Sequence, residues 1–182
     1  MTEVAASRKR VLCLCGSLRR VSTNRAALEA ARELAPASLQ LEIYPGMGAL
    51  PQFSPDVEID PLPQPVIELR DAVGRADALL VACPEYAHGI PGAFKNLLDW
   101  LVGALEFPGK PVLLLNTSAR GSHHAQDVLM EVLTTMSARL LTSEPLPVRL
   151  PGAGCKVDAV LESDDRRREI EVALGCLAAG LT

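Results

Sequence analysis

Apolar positions along this chain fall into two alternating rhythms: short unbroken runs, and longer stretches spaced by three and four residues. Residues 11–15 form a run without a polar break, the mark of a strand covered on both faces. Helical spacing follows over 26–35, with apolar side chains at 27, 28, 31, 34 and 35. Residues 39–44 alternate Leu39, Leu41 and Ile43 against Gln40 and Glu42, which predicts a sheet-edge strand. Val66, Leu69, Val73 and Ala76 restore the helical period, and residues 78–83 form a third apolar strand. Phe94, Leu97, Leu98, Leu101, Val102 and Leu105 mark the next helix, with Pro91 suited to its first turn. Residues 112–116 predict a fourth strand, and Val128, Leu129, Val132, Leu133 and Met136 a fourth helix. Residues 138–142 predict a fifth strand. After the irregular segment 143–163, Asp164 or Asp165 is expected to cap a last helix bearing Ile170, Ala173, Leu174 and Leu177.

Five strands alternating with five helices imply a parallel sheet wrapped on both faces, joined by right-handed crossovers. Such sheets bind ligands beyond the carboxyl ends of their strands, where the strand order reverses. The loops 16–24, 84–92 and 117–122 are therefore expected to converge. Between the second strand and second helix, Pro45, Pro51, Pro55, Pro61, Pro63 and Pro65 preclude regular structure. A long ordered loop is expected there, either a binding loop or a stiff surface connection.

Unusual chemistry gathers in the three converging loops. The first reads GSLRRVSTN: a glycine for the sharp turn, Ser17, Ser22, Thr23 and Asn24 as short polar groups, and Arg19 and Arg20 as positive charge ahead of a helix start. It suits a phosphate, though a loop with solvated arginines has the same composition. The second, PEYAHGIPG, sets Tyr86 beside Glu85 and His88, a combination suited to a flat polar ring or to a capped core. The third, TSARGSHH, offers Ser118, Arg120, Gly121 and Ser122 to close over the same ligand. His123 and His124 lie four and three residues before Asp127 on one helix face, but no third ligand is visible and no metal site is expected. The P-loop, dinucleotide-binding and nucleophile-elbow patterns GxxxxGK[ST], GxGxxG and GxSxG are absent, so the site is built for binding rather than side-chain attack.

Composition narrows the setting. A chain of 182 residues fits one domain, 1–182, with a core that needs no staples. Its 18 basic and 22 acidic side chains leave a net charge of -4, which argues against nucleic acid as a partner. The apolar run behind Arg8, Lys9 and Arg10 stops at Gly16, too short for a signal peptide or membrane span, so a cytoplasmic protein is expected. Cys13, Cys15, Cys83, Cys155 and Cys176 are odd in number and without ligand spacing, as free thiols in a reducing compartment would be.

Two of the loops carry a resemblance. GSLRRVSTN matches the GSxRxxSxN signature, and PEYAHGIPGAFKNLLDW resembles the PEYNxxxPGxxKNxxDW segment, of the NADPH-dependent FMN reductases, over roughly residues 10–142. The resemblance implies a flavodoxin-like α/β three-layer sandwich, with a five-stranded parallel sheet of order 2-1-3-4-5 and helices on both faces. It implies FMN as cofactor, with Ser17, Arg19, Ser22, Thr23 and Asn24 at its phosphate and Pro84, Glu85 and Tyr86 along the isoalloxazine; Ala87 is expected to reach the ring by its backbone, and Ser118 and Gly121 of the third loop are expected to close over the same ligand. It further implies a ping-pong hydride transfer from NADPH or NADH to FMN and on to a flavin, quinone, azo compound or similar small-molecule electron acceptor. A homodimer or homotetramer is expected, with the stripe 94–105 either its contact or part of the core. The alternative is a non-catalytic flavodoxin-like electron carrier or redox-sensing module. Two departures stand out: Ala87 replaces the family's asparagine, and TSARGSHH replaces a glycine-richer loop.

Overall fold

A computed structural model describes residues 8–59, 61–152 and 154–182. The first seven residues of the expected 1–182 domain, with positions 60 and 153, lie outside the described ones. Four principal parallel strands, β1 (Lys9–Cys15), β2 (Leu39–Ile43), β3 (Ala78–Ala82) and β4 (Pro111–Asn116), carry the molecule. Their order is β2-β1-β3-β4, continued by β5, as the resemblance implies. Val11 pairs with both Leu41 and Ala78, and Leu79 with Val112, so the strands end nearly level.

The fifth position of the sheet is shared by two short strands rather than filled by the one expected over 138–142. β5 (Arg139–Leu140) pairs with the start of β4, and β6 (Leu146–Pro147) pairs with its end, at Leu115 and Asn116. Pro145 has no N–H to donate, and the chain leaves the sheet between the two strands. At the edge, Pro147 is tolerated because no further strand needs its donor.

Alternation along the strands divides the core. Val11, Cys13, Cys15, Leu80, Leu113 and their neighbours face α1 (Thr23–Glu33), α5 (Val157–Leu161) and α6 (Asp164–Ala179). Leu12, Leu14, Leu79, Val81 and Leu114 face α2 (Gln64–Arg75), α3 (Gly92–Val102) and α4 (His124–Thr135). On α1, buried Ala26, Ala27, Ala30 and Ala31 let the helix lie close to the sheet. The stripe 94–105 splits: Phe94, Leu97, Leu98 and Leu101 are core, whereas Val102 and Leu105 are 65% and 93% exposed.

Helix starts differ from the sequence reading in ways that bear on the site. α1 begins three residues early, at Thr23, because Ser22 occupies the N-cap position and accepts from Arg25 N at 3.4 Å. α2 takes Pro65, the last of the proline run, into its first turn. α6 has Ser163 at its N-cap position, so Asp164 and Asp165 sit in the first turn, where negative charge suits the helix dipole. Among its described residues the proline-rich loop holds one 3-10 turn, Gly46–Ala49, and is otherwise irregular.

Candidate active site

Gly16 opens the site by letting two strand ends touch. Its N–H donates to the Ala82 carbonyl at 2.9 Å, and a Cβ there would lie 2.7 Å from Cys83 Sγ and 3.0 Å from Cys83 Cα. Only glycine fits that approach. The chain then turns through 17–22 into α1, whose first turn contains no acidic residue and presents N–H groups that have no helical acceptor. An anion at this helix end meets positive potential from both backbone and arginines.

Side chains brace the three loops against one another. Thr117 Oγ1 donates to Asn24 Oδ1 at 3.0 Å, a buried bond that ties the end of β4 to the start of α1. Thr23 Oγ1 donates to the Gly152 carbonyl at 2.7 Å, bringing the C-terminal segment to the same wall. Across the site, Glu85 Oε2 accepts from Ala125 N at 3.0 Å and so caps α4 from another loop. Ser118 organises its own loop: its Oγ accepts from the N–H groups of Arg120 and Ser122, each at 3.2 Å. These bonds enclose a crevice of about 310 Å3, with Thr23, Asn24, Glu85, Ser118, Arg120 and Gln126 among its lining. Its size lies at the lower end of small-molecule sites.

The residues singled out in the sequence do not all share that crevice. Thr23, Asn24, Pro84, Glu85 and Ser118 line it. Ser17 and Arg19 line a second cavity, about 420 Å3, on the β2 side of the first turn, with Arg20, Arg25 and Tyr44. Ser22 lies beneath the turn as the α1 N-cap. Tyr86, half-exposed, and Ala87 form a tight turn beside the crevice, and Gly121 turns the third loop with a φ of 67°. Tyr86 and Gly89 exchange backbone hydrogen bonds at 2.9 and 3.0 Å around Ala87 and His88, whose φ values are 50° and 60°. Two positive φ values in succession are the pattern of a type I′ turn.

Three contributors escaped the sequence reading. Thr117 closes the crevice through Asn24, Gly152 through Thr23, and Gln126 from inside α4. Gly152 falls in the segment 143–163, expected only to be irregular, and nothing local placed it beside residue 23. Gln126, 4% exposed, donates to the Cys83 carbonyl at 3.3 Å, yet its Oε1 is buried without a partner. A buried acceptor left unpaired on a crevice wall fits a ligand that brings a donor, as the ring N–H and ribityl hydroxyls of FMN do.

No thiol is poised as a nucleophile under the crevice. Burial, then the neighbouring Cys15, pushes the Cys83 thiol up, and burial likewise raises Cys15. Among the described residues no three His, Cys, Asp or Glu side chains converge on a metal position. Next to crevice-lining Glu85 and Ser122 the chain's three histidines gather: His124 lies 4.2 Å, ring centre to ring centre, from His88 and 4.1 Å from His123.

Parallel strands in the order 2-1-3-4-5, with a crevice at the reversal between β1 and β3, define a flavodoxin-like domain. The sequence model of the NADPH-dependent FMN reductases matches residues 9–146, and the chain belongs to that family. The protein is accordingly an oxidoreductase using FMN and NAD(P)H. An NAD(P)H-dependent FMN reductase of Pseudomonas aeruginosa is 32% identical over 172 residues, 92% of either chain. A quinone reductase of Escherichia coli is 33% identical over 129 residues, 66% of this chain and 69% of its own. Among solved structures, the flavoenzyme NAD(P)H:(acceptor) oxidoreductase FerB of Paracoccus denitrificans superimposes with a TM-score of 0.71 at 26% identity, covering 95% of both chains. Two of these relatives are named as reductases and the third as an oxidoreductase, and none of them supports the electron-carrier alternative. No described helix is long and apolar enough to cross a membrane.

Proposed function

We propose that the crevice seats FMN and that the protein uses NAD(P)H to reduce a small conjugated acceptor, with a quinone as the leading class and a flavin or azo compound as others. The observation that carries this reading is the crevice: three braced loops at the strand-order reversal surround an unpaired buried amide oxygen, and the thiols beneath it are held neutral. Bound FMN supplies the redox chemistry, reversible exchange of a hydride. The chain supplies position, charge and dryness.

In this reading the phosphate sits at the α1 start, held by Arg19, by the hydroxyls of Ser17, Ser22 and Thr23, by Asn24 and by first-turn N–H groups. Because Thr23 and Asn24 already bond Gly152 and Thr117, they set the shape of the cradle as much as they contact the ligand. Pro84, Glu85, Tyr86 and the Ala87 backbone line the isoalloxazine, and the Ser118–Gly121 turn closes over it. In the net reaction the dihydronicotinamide C–H bond breaks with two electrons. One solvent proton joins, and the two carbonyl oxygens of a quinone become hydroxyls.

The chain acts as one domain over 1–182, in the cytoplasm and as a homodimer or homotetramer. Val102 and Leu105, exposed at the end of α3, support a contact between copies, with Val57 and Ile59 of the proline-rich loop also exposed. Visible spectroscopy of purified protein tests the cofactor, and anaerobic addition of NADPH or NADH followed by a quinone tests the reaction. A protein that FMN does not turn yellow, or whose colour neither nucleotide bleaches, overturns the proposal.

A further inference from the structure

All three histidines of the chain stand in one cluster beside the crevice, contributed by two loops: His88 meets His124 edge-on at 83°, and His123 is tilted 34° from His124. His88 comes from the PEY turn and His123 and His124 from the start of α4. The ring separations of 4.1 and 4.2 Å are close even for aromatic pairs. The type I′ turn that brings His88 to the cluster carries left-handed backbone at both Ala87 and His88, at a cost of about 1 to 2 kcal/mol for each such residue. Solvated surface histidines need no such arrangement. The cluster is not a metal site either: among the described residues no three His, Cys, Asp or Glu side chains are placed to hold one ion.

Charge around the cluster is uneven. Glu85 is turned inward: one oxygen accepts from Ala125 N, and the other lies 3.4 Å from His88 Nδ1. Asp127 is exposed in the first turn of α4. Arg120 is exposed on the crevice wall, and among the described residues it forms no ion pair. The mouth thus offers three flat imidazoles with N–H donors, the half-exposed Tyr86 and one free guanidinium. A neutral ring needs the flat surfaces alone; the guanidinium and imidazole donors add recognition of negative charge.

We infer that His88, His123, His124 and Arg120 form the acceptor-recognition surface, and that the acceptor class they select is an anionic aromatic, a quinone-type ring bearing a sulfonate, carboxylate or ionised hydroxyl. This rests on the quinone-reductase reading above and narrows it. The redox balance is unchanged, because the anionic substituent binds and takes no part in electron transfer.

The test compares 1,4-naphthoquinone with its 2-sulfonate under NAD(P)H turnover of the FMN-loaded protein. A charge-assisted contact of about 1.5 to 3 kcal/mol corresponds to roughly a tenfold or larger effect. In Arg120→Gln and in His123→Gln/His124→Gln, the ratio of kcat/KM for the sulfonate to that for the neutral quinone is expected to fall at least about tenfold, whichever way the absolute rates move. A ratio equal to wild type in both variants overturns the inference. A second readout needs no turnover: in untagged holoprotein, imidazole proton resonances report this cluster alone, and naphthalene-2-sulfonate is expected to shift them. Unmoved resonances also overturn it. Absence of turnover with the neutral quinone overturns the reading beneath, whereas turnover without discrimination overturns only this one.

Discussion

Trp100 Nε1 and Asn96 Nδ2 donate to the same acceptor, the Pro51 carbonyl, at 2.8 and 3.0 Å. Asn96 Oδ1 also accepts from Phe53 N at 2.7 Å, and Phe53 meets the Trp100 ring edge-on at 5.1 Å. Two residues of the KNLLDW segment therefore clamp the proline-rich loop to α3. Farther along, Arg70 donates to the Trp100 carbonyl and pairs with Glu58, continuing the clamp.

Asn96→Ala leaves the Phe53 N–H unpaired in a half-buried place and removes one donor to Pro51. Destabilisation of about 1 to 3 kcal/mol is expected. Urea unfolding checks the magnitude. Limited proteolysis checks the location, since cleavage should accelerate within 51–59 before the rest of the chain opens.

Gly16→Ala forces a methyl group to within 3.0 Å of Cys83 Cα and nearer still to its sulfur. Overpacking of this kind costs about 1 to 3 kcal/mol. Adding Cys83→Ala removes the sulfur contact but not the backbone one, so the double variant should recover part of the loss. Strict additivity of the two in thermal or urea melts would mean that the contact does not carry the effect.

Ala87 shows where sequence reading stops. By resemblance, the missing asparagine reads as a lost amide contact to the flavin. The backbone gives another reason for the family's residue: position 87 has φ 50°, a region asparagine and glycine enter more readily than alanine. Ala87→Gly and Ala87→Asn are each expected to stabilise by about 0.5 to 1 kcal/mol, and Ala87→Val to destabilise by more than that. Melting temperatures in the three variants test the order.

Much of the fold was legible because β1, β3 and β4 are short apolar runs, β2 alternates as an edge strand does, and each main helix keeps its period. The sheet edge was not, because β5 and β6 each rest on two residues and owe their existence to β4. In the candidate site, motif spacing singled out Thr23, Asn24 and Glu85, which the fold places on the crevice wall. Their partners were not legible: Asn24 to Thr117 spans 93 positions and Thr23 to Gly152 spans 129, separations over which only folding creates proximity.

Burial raises the Cys13 thiol to about 12 from an ordinary 9.0. The folded chain therefore holds a proton that the unfolded chain releases above pH 9, and stability falls as pH rises from 9.0 toward 12. Cys15 and Cys83, also raised, act in the same direction. Cys13→Ala is expected to lower stability at pH 7 by creating a small cavity, yet to flatten the decline measured by urea unfolding between pH 9 and 11. An unchanged slope would assign the alkaline loss to other groups.

Arg19 and Asn24 separate binding from architecture at the first turn. Arg19 is exposed and forms no ion pair among the described residues, so Arg19→Ala should leave the melting temperature of the FMN-free protein within about a degree while weakening FMN by roughly tenfold or more. Asn24→Ala strips a buried bond from Thr117 and should lower both the stability of the apoprotein, by about 1 to 3 kcal/mol, and its FMN affinity. Fluorescence titration of FMN and thermal melts of both apo variants supply the four numbers. Arg20→Ala sharpens the contrast: Arg20 touches the cavity shared with Arg19 and a second one beside Lys156, so its loss should weaken FMN less than the loss of Arg19. Equal weakening by both would reassign phosphate binding from a directed contact of Arg19 to the summed field of the turn.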